Sequence, residues 1–288
     1  MKKYFSVALM LVAVCVLNFS ATVPENQNRA IANKMVAAMK SYKTCVYTMR
    51  SEERLTGKKD LRGGEIFTKV CEVPRKEYMK MVADPNKGTE MLYVEGERDN
   101  KVMVNPGKYL PTLNLAPANS MLTKDQHHTI MSAGFRLVAR IVEAGMKRSD
   151  EQGRFDEVFK YAGDVTWNNR ACYKLIIADP TWAYTTYTAK GGETILTIAA
   201  KLLISEYSIK ELNGIKNFDD DLGGKTLKVP SSYAKVSVFY IDKENNFPVF
   251  QELSDDKGVF ERYQFFNLTI NPVFKADEFT KGFSEYKF

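Results

Sequence analysis

The chain reads as an α+β fold built on an antiparallel sheet. Helical periodicity is confined to a few stretches, short runs rich in β-branched, aromatic and Met residues fill most of the rest, and these runs follow one another instead of alternating with helices.

Taken in order, Ile31, Met35, Ala38 and Met39 recur at helical spacing after Pro24, which predicts an amphipathic helix over residues 25–41. The runs TCVYTMRSEERL, EIFTKVCEV, KEYMKMV, TEMLYVEG and NKVMVN follow, separated by Gly, Pro, Asn or Asp signals, and describe a meander with one wetted face. Leu137, Val138, Ile141, Val142 and Met146 mark a second helix over about 132–147. Strands resume at FDEVFKYAGDV, ACYKLIIA and WAYTTYTA, pause after Tyr187, and continue as AKVSVFYID, FPVFQEL and VFERYQFFNLTI. Linker-like signals stand at Ala116 to Leu122 and at the two ends of the pause.

Composition narrows the class. The 288 residues are 44% hydrophobic and 26% charged, ordinary globular material for one large domain and one small one. The formal charge of +6 includes Lys2 and Lys3, which would leave with an export signal, so a nucleic-acid partner is not implied. Those two lysines precede an apolar run from Phe5 to Leu17, too short for a bilayer-spanning helix and suited to a signal peptide over residues 1–21. An exported protein of the periplasm or cell envelope is expected, and no later apolar stretch is long enough to span a membrane. Cys15 follows Val14 where a lipidation box wants a small residue. Three cysteines remain, Cys45, Cys71 and Cys172. A hairpin centred near Lys58 would bring Cys45 and Cys71 opposite each other, and the alternative is three small buried hydrophobes.

The segment interrupting the sheet carries its own pattern. Tyr187 and Thr188 end a short strand, Gly191 and Gly192 turn it, and Thr194 caps a helix with Ile195, Ile198, Ala199 and Leu202 on one face. Ser208 with Glu211 spells a capping box for a second helix, Ile209 and Leu212 face inward, and Gly214 stops it. Leu227 and Val229 form a closing strand ended by Pro230. If the two strands pair antiparallel, the ends of this β-α-α-β unit lie side by side, and the host sheet tolerates the insertion.

Gly192-Glu193-Thr194-Ile195, Ile198-Ala199, Glu211-Leu212-Asn213, and Gly224 followed by Leu227, Val229 and Pro230 resemble the LysM family over residues 187–231. That resemblance implies binding of peptidoglycan or another N-acetylglucosamine glycan, with Gly192, Glu193, Thr194 and Ile195 as one wall of a shallow groove and Asn213, Gly214 and Ile215 as the other. Ile195 and Ile215 would cover the acetyl methyl group, and backbone groups at the helix ends would pair with the amide. The chain departs from the family at Gly214 and Gly223, where proline is common, and at Asp219, Asp220 and Asp221, which lengthen an acidic loop.

The flanking residues 25–186 and 232–288 are similar to a family of secreted Gram-negative proteins of unknown function. The resemblance rests on SYKTCVYTMRSEE, the stretch Gly88 to Gly96, the Gly134 region, Ile241 to Pro248 and the tail ADEFTKGFSEYKF. That family is similar in layout to lipoprotein carriers, which implies a curved half-barrel holding acyl chains under a helical lid, with a lipid or lipoprotein as partner. Met79, Met81, Met91 and Met103 are flexible side chains suited to such a cavity.

Catalytic signals are sparse. His127 and His128 are the two histidines, adjacent in TKDQHHT, where neighbours cannot share one helix face. The sequence has neither an HExxH nor a GxSxG pattern. A glycosidase would need two facing carboxylates roughly 5 to 10 Å apart. The expectation is a non-enzymatic binding protein without metal or cofactor: a LysM tether to peptidoglycan, or alternatively a lipid or lipoprotein carrier whose LysM unit is a positioning device, with a cell-wall hydrolase as the third reading.

Overall fold

The computed structural model describes residues 26–84, 86–107 and 110–288. The expected export signal over residues 1–21, with Cys15, lies outside the described residues. Helix α1 spans Gln27–Ser41, and the Asn26 side chain caps it by accepting from the Asn28 N–H. Its buried face is Ile31, Ala32, Met35, Val36 and Met39. Burying each of the larger side chains contributes about 1.5–3 kcal/mol, so a charge at Met35 would unseat the helix.

Strands β1 (Thr44–Glu53), β2 (Arg62–Cys71), β3 (Lys76–Met81), β4 (Glu90–Val94), β5 (Val102–Asn105) and β6 (Leu113–Leu115) form the first meander. Helices α2 (Ser120–Thr123), α3 (Arg136–Glu151) and α4 (Phe155–Val158) follow, then β7 (Phe159–Trp167) and β8 (Arg170–Ala178). A separate unit of β9 (Tyr184–Thr188), α5 (Ile195–Leu202), α6 (Glu206–Asn213) and β10 (Thr226–Pro230) precedes β11 (Val236–Asp242), β12 (Pro248–Asp255) and β13 (Gly258–Ile270). Eleven strands make one sheet in the order β6-β5-β4-β3-β2-β1-β13-β12-β11-β8-β7, with every adjacent pair antiparallel.

Local differences from the sequence reading have identifiable causes. FDEV is a helical turn instead of the start of a strand, because Phe155 and Val158 bury together at a three-residue spacing and Asp156 and Glu157 favour a helix N-terminus. Within the expected linker, Asn119 caps the short α2 through the Met121 N–H. The second long helix begins at Arg136, after Gly134, and not near Ser132.

Gly134 has φ +83°, and a Cβ there would stand 2.4 Å from the Tyr42 hydroxyl oxygen. That hydroxyl accepts from the Phe135 N–H and donates to Glu72, so glycine is required for the chain to pass.

The sheet has two apolar faces. Met79 pairs with Met91, and Met91 with Val104, giving one row that faces the helices. Tyr78, Leu92 and Met103 form the row behind, covered by Phe279, Phe283 and Tyr286 of the C-terminal tail. Met103 therefore packs beneath the tail, away from the face that Met79, Met81 and Met91 share, because side chains alternate along a strand. The same alternation settles the cysteines. Cys45 lies opposite Val70 and Cys71 opposite Thr44, so the two side chains point to opposite faces, and Cys45, Cys71 and Cys172 are free thiols.

In the interrupting unit, β9 and β10 pair antiparallel from Thr188 with Thr226 to Tyr184 with Pro230. Ile195, Ile198, Ile209, Phe218, Leu222 and Leu227 bury together as its core. The strands on either side of it, β8 and β11, pair directly at Ala178 and Val236. Thr194 and Thr197 form a reciprocal capping box for α5. Ser205, not Ser208, caps α6, one turn earlier than the sequence pattern indicates. The earlier start fits the contacts of Glu206 and Tyr207, which face the host: the Tyr207 hydroxyl accepts from the Thr56 N–H at 2.7 Å and its ring stacks on His127 at 4.0 Å.

Candidate functional site

Between the methionine row and the helices lies a cavity of about 750 Å³. Its floor includes Met49, Ile66, Met79, Met81 and Met91, and its roof includes Leu137, Val138 and Ile141 of α3. Those three α3 residues are only half-buried although they belong to the helix's apolar stripe: Ala139 and Val142 sink into the core, Val138 and Ile141 pack against it, and the edge with Leu137 borders the cavity. Leu202 and Leu203 of the interrupting unit complete one wall. Leu110 and Met121, which also line it, are mostly exposed at 61% and 71% and mark where it meets solvent. A space of this size with mostly apolar walls is the usual form of a small-molecule site.

One set of buried polar groups lies around β1, β12 and β13. Glu53 pairs across strands with Glu261, Ser51 with Tyr263, and Gln251 with Tyr263, and all five line the cavity. The two carboxylates are buried and satisfied. Glu53 accepts from the Tyr263 hydroxyl at 2.7 Å and from the His127 N–H at 2.9 Å. Glu261 accepts from the Tyr233 hydroxyl and lies 2.8 Å from His127 Nδ1. His127 Nε2 is 2.8 Å from the Arg54 carbonyl oxygen, which can only accept, so Nε2 carries a proton and Nδ1 faces the Glu261 carboxyl. His128 completes the set, with Nε2 2.9 Å from the Tyr233 hydroxyl. Its Nδ1 stands 3.0 Å from Glu206 Oε2, a charge contact too oblique to be a hydrogen bond.

The electrostatics follow from this packing. Burial pushes both imidazoles down, but Glu53 and Glu261 beside His127 outweigh it, and Glu206 and Glu261 hold His128 well above the ordinary range. Burial likewise raises Glu261, yet His128 and His127 bring its carboxyl down to about 2. The sequence reading missed this network, because the adjacent histidines belong to a non-helical turn whose partners come from three distant segments. Glu53 and Glu261 each accept hydrogen bonds within this network, while Glu206 Oε2 has no hydrogen-bond partner among the described residues. Among the thiols, burial pushes Cys172 up to about 11 and raises Cys45 further. Among the described residues, no group of three or more His, Cys, Asp or Glu is arranged to hold a metal ion, and no helix is long and apolar enough to cross a membrane.

The residues expected to bind glycan are placed as follows. A solvent-facing groove of about 550 Å³ is lined by Asn213, Gly214, Ile215, Lys216, Asp220 and Lys225 to Leu227. Gly192 to Ile195, the other expected wall, do not border it. Ile195 is fully buried in the unit's core and cannot cover a ligand methyl group. Glu193 accepts from the Tyr187 hydroxyl, the Lys190 N–H and Lys201, and those bonds, the Lys190 N–H first, hold its carboxyl down to about 2. Thr194 is spent on its cap. The Asn213 amide donates to the Ile209 and Lys228 carbonyls and accepts from the Lys228 N–H, fastening α6 to β10. Gly214 ends α6 in the left-handed region, which leaves half-buried Ile215 as the apolar side chain available on that wall.

The acidic loop is a clasp. Asp221 Oδ1 accepts from the Gly192 and Gly223 N–H groups. A Cβ at Gly223 would meet Gly191 Cα at 2.9 Å, which accounts for glycine there.

The chain belongs to the DUF1571 family, described as a protein of unknown function, whose model matches residues 39–207. No curated protein matches it. Among solved structures it is similar to MucB (11% identity, 88% of this chain and 62% of that one covered, TM-score 0.43). It is also similar to LprF from Mycobacterium bovis (12%, 87% and 96%, 0.42). A third is the Mycobacterium tuberculosis lipoprotein LppX (10%, 86% and 97%, 0.40). The chain thus spans about 62% of the MucB chain.

Proposed function

We propose that this protein is an exported, non-enzymatic carrier that holds the acyl chains of a lipid or lipoprotein in the cavity beneath α3. The observation that carries the reading is the unfilled apolar space of about 750 Å³ between the methionine row and a helix stripe that would otherwise close on it. Thioether side chains reshape at low cost, which suits a binder of variable chains. The test is lipid analysis of the full chain purified without detergent, alongside Met91→Trp and Ile141→Trp. Wild type should carry, or take up, a pyrene-labelled acyl probe, and either tryptophan should cut its uptake at least tenfold; unchanged uptake in both would refute carriage.

The groove beside Asn213 to Lys216 favours a second role, in which the interrupting unit positions the carrier against an N-acetylglucosamine glycan. Excising residues 187–231 would remove Glu206 and Tyr207 from the buried network, so a point change is the cleaner probe. Ile215→Glu should abolish sedimentation of the full chain with purified peptidoglycan; equal sedimentation would remove the glycan role and leave the carrier reading intact.

A further inference from the structure

The polar set around β1, β12 and β13 has a chemical preference of its own, and this inference rests on the carrier reading above. Gln251 is 2% exposed and lines the cavity, yet its Nε2 has no hydrogen-bond partner among the described residues. A buried amide left unpaired costs about 1–3 kcal/mol, which a ligand acceptor would recover. Gln251 sits opposite Phe239 on one neighbouring strand and Tyr263 on the other. One strand further on is Ser51, 5% exposed, whose hydroxyl makes only long contacts of 3.4 Å with Gly64. Two under-used donors therefore stand on the floor.

The charges around them set what can approach. Three carboxylates, Glu53, Glu206 and Glu261, gather about the two imidazoles of His127 and His128. Beside Gln251 an anionic headgroup would meet the Glu53 and Glu261 carboxylates in a low-dielectric space, whereas the lysine and arginine that also line the cavity, Lys124 and Arg148, are carried by the end of α2 and by α3. An ammonium or guanidinium would find carboxylates already bonded to His127, Tyr233 and Tyr263. A neutral acceptor is the group that fits.

We propose that the cavity recognises a neutral acyl ester, its carbonyl oxygen accepting from Gln251 Nε2 while its chains lie on Met79, Met81 and Met91. A diacylglycerol moiety has this chemistry, and a free fatty-acid anion does not. Gln251 acts as a specificity determinant, and no bond is made or broken.

The experiment is displacement of the pyrene-labelled acyl probe from the full chain by 1,2-dioleoylglycerol, by its dialkyl ether analogue lacking carbonyls, and by oleate. The ester should displace at least tenfold more tightly than the ether or oleate, equivalent to about 1.4 kcal/mol. Gln251→Met should make ester and ether equal. Equal affinity of ester and ether for the wild-type chain would overturn the inference without any substitution, as would a retained ester advantage in Gln251→Met. If the probe does not bind wild type at all, it is carriage that fails, an outcome distinct from loss of selectivity.

Discussion

His127 Nδ1 and Glu261 Oε1 stand 2.8 Å apart with both side chains 1% exposed, joining the turn after α2 to the centre of the sheet. Glu261→Ala would leave two buried imidazoles without their shared carboxylate. Breaking a buried pair in this way costs about 3–5 kcal/mol. Urea unfolding should show that loss, with Glu261→Gln intermediate; a change under about 1 kcal/mol would mean the network is stabilised from elsewhere.

The same groups set the pH profile. The folded-state values of His127 and His128 are raised, so their contribution is complete below the unfolded imidazole range near 6.5 and is lost as pH climbs through the raised values. Glu261 is lowered from 4.5 to about 2, so its contribution is present above 4.5 and is lost as pH falls toward 2. Thermal stability should therefore peak between about pH 5 and 6.5. In His128→Gln the decline on the alkaline side should shrink while the acid limb remains, and an unaltered alkaline limb would contradict the assignment.

Gly134→Ala combines a positive φ with a clash against the Tyr42 hydroxyl. A destabilisation of about 2–4 kcal/mol is expected, since each fault alone costs roughly 1–3 kcal/mol. Adding Tyr42→Phe should recover only part of it, because the clash is relieved while the backbone conformation is not.

Truncation after Asn271 should expose Tyr78, Leu92 and Met103 and strip Lys69 of Glu278, its buried partner at 2.6 Å. Increased binding of a hydrophobic dye together with a lower melting temperature is expected. Full retention of both properties would show the tail to be dispensable padding.

Period and spacing exposed much of this architecture. The β1–β2 hairpin, with Thr44 opposite Cys71, turns where the polar stretch after Glu53 places it, and the interrupting unit reads as strand, helix, helix, strand because caps at Thr194 and Gly214 are local signals. The candidate site was less legible. Whether a methionine faces the cavity depends on the residue count of the preceding turn, and the turn before β5 sends Met103 to the opposite side from Met91. The partnership of His127, His128 and Glu261 is set by tertiary placement alone, and no local pattern carries it. Glu193 and Asn213 have the identities expected of ligand contacts, but their hydrogen bonds are consumed inside the unit.

Strand β1 sits between β2 and β13, and Cys45 near the start of the chain lies opposite Ile270 near its end. The two halves of the sheet are thus sutured by β13, the last of its eleven strands in chain order. Until β13 emerges, β1 and β12 each present an unpaired edge, and the centre of the acid network has no Glu261 around which to close. Such a long-range closure favours slow, late folding. A nascent chain of this topology stays open, with its edges unpaired, from the emergence of β1 to that of β13, and that interval is when a chaperone would have most to bind.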